Sequence, residues 1–174
     1  MHSVRPFLLL DVDGPLNPYA AKPERRPAGY TTHRMRPEGW DDPRLRPLRV
    51  WLNPDHGPAL LALPYDLVWA TTWRHEANAW IAPRLGLPPL PVVDWPELHS
   101  AARDDGVHWK TRRLVEWAAG RAFAWVDDEI GDADRAFVAA HRSGPALLHR
   151  VDPRIGLLPG DFAALAAWAR RAPG

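Results

Sequence analysis

With 174 residues, 46% apolar and 25% charged, the chain has an ordinary globular composition and enough length to bury a core. A formal net charge of +1 gives no bulk attraction to nucleic acid or membrane, and the absence of cysteine excludes disulfides, thiolate metal sites and cysteine nucleophiles. No apolar run approaches the roughly 18 residues of a membrane span, and FLLL runs too soon into Asp11 to be a signal segment, so a cytoplasmic protein is expected.

The apolar run FLLL (7–10) predicts a strand buried on both faces, as in a parallel sheet. Residues 14–53 are rich in Pro and Arg and carry eight basic against four acidic side chains, a local charge of +4. Within them TTHRMRP and LRVWL read as short extended pieces, which predicts a small insert with a hairpin rather than a large cap domain. HGPALLALP predicts a short helix, YDLVWATT (65–72) a strand, HEANAWIAPRLG (75–86) a helix capped by Gly86, and LPVVDW (90–95) a short strand. VHWKTRRLVEWAAG (107–120) predicts an amphipathic helix with Leu114, Val115, Trp117 and Ala118 on one face, and RAFAWVDDE (121–129) a strand ending in acid. DADRAFVAAHR (132–142) predicts a helix, PALLHRV (145–151) a strand, and DFAALAAWARR (161–171) a closing helix with Asp161 as its N-cap. Strands alternating with helices imply one α/β domain, doubly wound and Rossmann-like, with helices on both faces of a parallel sheet.

Three predicted strands end in polar chemistry: Asp11 and Asp13 after FLLL, Thr71 and Thr72 after DLVWA, and Asp127 and Asp128 after AFAWV. Parallel strands bring such ends to one crevice, and Lys110, at the start of the helix before the third strand, reaches the same edge. Taken singly, each has a plainer reading. DVDG serves as a turn or half a calcium loop, the Asp127–Asp128 pair as helix caps, the threonines as a strand end, and Lys110 as a solvated helix residue. Jointly, the carboxylates repel one another unless a cation sits among them, and oxygen-only donors suit a hard ion such as Mg²⁺. A cation, an ammonium and hydroxyls form a receptor for a phosphoryl group, and a carboxylate there can attack phosphorus while a second one handles protons.

This constellation resembles the haloacid-dehalogenase (HAD) superfamily. The DxD motif matches Asp11 and Asp13, the Thr ending the next core strand matches Thr71 with Thr72 as the second choice, the Lys matches Lys110, and the acidic pair matches Asp127 and Asp128. DVDGPLNP, WLNPDHG, VWATTWRHEAN and AWVDDE further resemble the branch named for HAD domains in "Swiss army knife" RNA-repair proteins. The resemblance implies Asp11 as nucleophile, Asp13 as general acid and base, and Thr71 and Lys110 as phosphoryl-binding groups. It implies Mg²⁺ held by the Asp11 side chain, the Asp13 carbonyl and Asp128, with Asp127 in support. Pro15 departs from the pattern and stiffens the turn after the DxD. Asn17, His56, Thr72, Trp73, Arg74 and His75 are candidates for substrate contact. The expected partner is a phosphorylated small molecule, a nucleotide or a nucleic-acid end. A phosphotransferase and a non-catalytic nucleic-acid or protein binding module on the same scaffold are the alternatives.

Overall fold

The computed structural model describes residues 4–95 and 104–172. Four parallel strands form the central sheet in the order β4-β1-β5-β6. They are β1 (Phe7–Leu10), β4 (Asp66–Trp69), β5 (Phe123–Asp127) and β6 (Ala146–Arg150). β1 lies in register with both neighbours, Leu10 opposite Trp69 on one side and Val126 on the other. The apolar runs are buried on both faces, so every second side chain serves a different layer.

Leu8, Leu10, Trp69 and Val126 enter the larger core, where they meet Leu60 of α1 (His56–Leu61), Leu85 of α2 (Ala82–Leu85) and Leu165 of α5 (Pro159–Arg171). Leu9, Val68, Phe123 and Trp125 face the opposite layer, with Leu114 and Ala118 of α3 (Trp109–Ala118) and Val138 of α4 (Asp132–His141). The expected apolar face of α3 is thus the one that packs: Leu114 and Ala118 are buried, and Val115 and Trp117 lie against the same cluster. Full burial of a leucine such as Leu114 contributes about 1.5–3 kcal/mol. No helix among the described residues is long and apolar enough to cross a membrane.

The Arg-rich insert folds as expected around an antiparallel hairpin, β2 (Thr31–Met35) paired with β3 (Leu48–Leu52). Met35, Val50 and Leu52 anchor it in the larger core, and Trp51 closes a small cluster with Ala21 and Tyr30. The hairpin is therefore packed onto the α/β body by its own apolar face.

Three expectations are corrected. The strand over 90–95 reduces to one parallel bridge, Val92 to Trp69, flanked by hydrogen bonds from Trp69 N to the Pro91 carbonyl and from Val93 N to the Trp69 carbonyl. Prolines at 88, 89 and 91 remove the donors a longer ladder needs. The helix over 75–86 is π-helical at Ala77–Ile81 before tightening into α2, and Gly86 ends it in the left-handed conformation. Pro83 has no N–H and crowds the carbonyl four residues back, which a widened turn accommodates. Asp161 does not occupy the N-cap of α5; Pro159 opens the helix after extended Leu158, and Asp161 sits inside the first turn, where its Oδ2 accepts from Leu158 N at 2.7 Å.

Candidate active site

From β1 the chain passes to β4 on one side and returns to β5 on the other, so the crevice beyond these strand ends is a topological switch point. Asp11 follows β1 directly and Asp127 is the last residue of β5; Asp11 N donates to the Val126 carbonyl at 3.1 Å, which sets the two acids side by side. Lys110, the second residue of α3, comes in from the opposite layer. Its Nζ donates to Asp11 Oδ2 at 2.8 Å and to Asp127 Oδ2 at 2.7 Å while the residue is only 2% exposed. Two neighbours hold the start of α3 in place. His108 Nδ1 accepts from Lys110 N, and buried Asp134 accepts from His108 N at 2.8 Å and from Thr111 Oγ1 at 2.6 Å. Asp134 also accepts from Gly131 N ahead of α4, so one carboxylate ties both helix starts together.

The remaining acids stand around this ion pair. Both Asp127 oxygens are engaged, Oδ1 by Glu129 N and Oδ2 by Lys110 and Trp125 Nε1. Asp128 lines the cavity and accepts from the Tyr19 hydroxyl at 3.0 Å. Asp13 also lines it, fixed by Asn17 Nδ2 at 2.8 Å and Trp73 Nε1 at 2.9 Å. Gly14 makes this crowding possible. Its φ is +100°, and a Cβ there would lie 2.6 Å from Asp128 Oδ1.

Burial dominates the electrostatics. It pushes the Asp11 carboxyl up to about 8, against the pull of Lys110, with Asp127 adding to the rise. Burial also disfavours charge on Asp127, but Lys110 outweighs it and holds that carboxyl below its ordinary value. Asp128 is raised, mainly by burial and further by Asp127. Tyr19 is pushed up to about 12 by burial and by its bond to Asp128, so it donates as a neutral phenol.

Oxygens of Asp11, Asp127 and Asp128 lie within 4.8 Å of one another and can hold a metal ion. Three carboxylates against one ammonium leave two negative charges uncompensated when all are ionised, which a divalent cation would neutralise. Lys110 holds one oxygen of both Asp11 and Asp127, but Asp127 is fully buried behind the cavity wall, so Asp11 and Asp128 are the side chains with access to such an ion from the cavity. An all-oxygen set suits a hard cation.

The cavity measures about 630 Å³, and its lining includes Asp11, Asp13, Asn17, Thr72, Trp73, Lys110 and Asp128, all of them expected site residues. Thr71 is placed differently. It is fully buried, its Oγ1 accepts from Trp73 N at 3.2 Å, its carbonyl accepts from Trp95 Nε1, and Thr72 takes the position on the cavity wall. His56 does not reach the site. Its ring packs between Tyr30 and Phe162, and Nε2 bonds to the Leu157 carbonyl at 3.1 Å. Arg74 turns away as well, donating to the Trp95 carbonyl, and His75 is exposed outside the lining.

Sequence reasoning missed Tyr19, Trp40, Arg49 and Trp109, which also line the wall, as do the acids Glu38, Glu76 and Glu129. Tyr19 and Arg49 lie in the insert, whose composition marks a basic segment without showing which side chains point inward. Trp109 adjoins Lys110, and that adjacency was a usable signal. Compared with protein-family models, the curated proteins and the solved structures, the chain finds no match.

Proposed function

We propose that the protein is a Mg²⁺-dependent phosphomonoester hydrolase of the HAD kind, working through an aspartyl-phosphate on Asp11. The observation that carries this reading is the buried Asp11–Lys110–Asp127 ion-pair cluster, with Asp128 alongside, at the switch point of a parallel sheet. An Asp11 oxygen attacks phosphorus, and the bond from phosphorus to the ester oxygen breaks. Asp13 gives its proton to the departing oxygen and then takes one from the water that attacks the aspartyl-phosphate. Inorganic phosphate leaves, and Asp11 is again a carboxylate. Lys110 orients Asp11 and offsets part of its charge, while Thr72 and Lys110 flank the space for the phosphoryl oxygens. Mg²⁺, held by Asp11 and Asp128, would supply charge compensation for the phosphoryl group. The aromatic wall of Trp40, Trp73 and Trp109 supports a ring-bearing substrate, a nucleotide or nucleic-acid end.

The test is release of inorganic phosphate from an aryl phosphate with and without Mg²⁺. Turnover should require Mg²⁺ and fall by about 10³-fold or more in Asp11→Asn. Activity that survives Asp11→Asn overturns the assignment of the nucleophile.

A further inference from the structure

The hairpin has a second face. Opposite the apolar one, Thr32 and Arg34 of β2 pair with Trp51 and Arg49 of β3, and Arg34 stands directly across from Arg49. Like charges opposite one another on a sheet destabilise it. Arg44, Arg112, Arg113, Arg121 and Arg154 each have their own aspartate, yet among the described residues no carboxylate lies within ion-pair distance of Arg34 or Arg49. Arg26 joins them, donating to Thr32 Oγ1 at 2.9 Å. Together with Glu24 and Pro23 these residues line a shallow groove.

The groove adjoins the candidate active site, because Arg49 lines both. It is also held in register with it. The Arg49 guanidinium stacks over the Trp51 ring at 3.8 Å, a contact that leaves its in-plane N–H groups free to donate. Trp51 in turn is fixed by its Nε1 to Thr32 Oγ1 and by its backbone N–H to Asn17 Oδ1 at 3.0 Å. Asn17 uses its other side-chain atom to hold Asp13. A chain of hydrogen bonds therefore sets the position of the arginines relative to the DxD turn.

We propose that Arg26, Arg34 and Arg49 form a subsite for a second phosphate or phosphodiester group of the same substrate whose terminal phosphate reaches Asp11. This rests on the phosphatase reading and deepens it: the substrate carries at least two phosphate groups, either along a single nucleic-acid strand or on a small polyphosphate. Guanidinium pairs bind phosphate with parallel N–H donors, and an anion between Arg34 and Arg49 removes their repulsion.

Binding to the full-length Asp11→Asn protein in Mg²⁺, which needs no turnover, tests the subsite. The probes are phenyl phosphate, inorganic tripolyphosphate and a 5′-phosphorylated single-stranded hexanucleotide. Arg34→Gln and Arg26→Gln should each weaken one or both of the multiply phosphorylated probes by about tenfold, with phenyl phosphate changed less than twofold. The slope of log affinity against log salt for the hexanucleotide should fall by about 0.7 per arginine removed. Arg34→Lys should recover part of the loss. Weakening confined to tripolyphosphate supports the subsite and identifies a small polyphosphate ligand; weakening confined to the hexanucleotide supports it and identifies a strand. Equal weakening of all three probes, or none, overturns the subsite. If the arginine variants lose multiply phosphorylated probes while the wild-type protein turns over no phosphate ester, the subsite stands and the phosphatase reading falls. If phenyl phosphate is turned over and no probe depends on the arginines, the phosphatase reading stands and the subsite falls.

Discussion

Lys110 lies between Asp11 and Asp127 with a carboxylate on either side and almost no contact with water, whereas Arg34 and Arg49 face each other on the hairpin with no carboxylate at ion-pair distance among the described residues. Both regions concentrate charge, and they do so under opposite conditions. At the sheet edge the charges are desolvated and each is hydrogen-bonded, so their positions are set by a network that tolerates no missing member. On the hairpin they remain hydrated, their mutual repulsion is screened by water and salt, and the surplus charge stays available to a ligand. A buried cluster fixes geometry for chemistry; an exposed, unpaired one offers attraction. Arg49, which belongs to both walls, joins the two regimes.

Breaking the buried cluster should produce the largest effect. Lys110→Met leaves Asp11 and Asp127 without their common cation, and removing one partner of a buried pair costs about 3–5 kcal/mol. For a chain of this size, that corresponds to a drop of roughly 6–20 °C in the thermal midpoint, measurable by calorimetry or circular dichroism. A loss below about 1 kcal/mol would mean that water reaches the ammonium.

Gly14→Ala attacks the same cluster through the backbone. The new methyl meets Asp128 Oδ1 at a position whose φ of +100° also disfavours a side chain. A cost of about 1–3 kcal/mol in urea unfolding is expected, with weaker Mg²⁺ binding because Asp128 must shift. Unchanged Mg²⁺ affinity by titration calorimetry would remove Asp128 from the proposed ion site.

The seam between hairpin and body contains a titratable group of its own. His56 is buried between Tyr30 and Phe162, and among the described residues its Nδ1 has no hydrogen-bond partner. Burial lowers its affinity for a proton, only partly offset by the Leu157 carbonyl and by Asp55 and Asp161. Its folded pKa thus lies below its unfolded value near 6.5, so the unfolded chain takes up the proton first. The stability His56 contributes is present above about pH 6.5 and declines as pH falls below it, by at most about 1.4 kcal/mol per pH unit. Urea unfolding at pH 5.5 and 7.5 should show this slope in the wild-type protein, and His56→Gln should flatten it. An equal slope in both proteins would place the acid sensitivity elsewhere.

The smallest effect sharpens the comparison from the hairpin side. Arg34→Glu converts the opposed pair into a cross-strand ion pair with Arg49 and should raise stability by about 0.2–1 kcal/mol. The same change should abolish the salt-dependent binding of multiply phosphorylated probes. Stability gained at the expense of binding is the pattern expected of a site held unpaired for a ligand.

Much of the sheet edge was legible in the chain. FLLL, LVWA and FAWV are apolar runs followed directly by polar residues, and parallel strands have only one edge at which those ends can meet. Lys110 was legible because a helix immediately preceding β5 must begin near that edge. Thr71 and Thr72 could not be separated, since the choice depends on where the strand lets go: Trp95 and Trp73 capture Thr71, leaving Thr72 on the wall. His56 and Arg74 were plausible by proximity in sequence to the motifs, and packing sent both elsewhere.

The amino-acid sequence by itself determined the alternation of strands and helices, the acids at the strand ends and the basic character of the insert. Each of these follows from local periodicity or composition, which neighbouring residues express without help from the rest of the chain. Only the tertiary structure decided which charges would be paired. Tyr19 reaches Asp128 across 109 residues, Lys110 reaches Asp11 across 99, and the register that sets Arg34 against Arg49 is chosen by the burial of Met35, Val50 and Leu52 beneath them. Pairing is a property of distance in space, and distance is settled by which apolar faces are buried together.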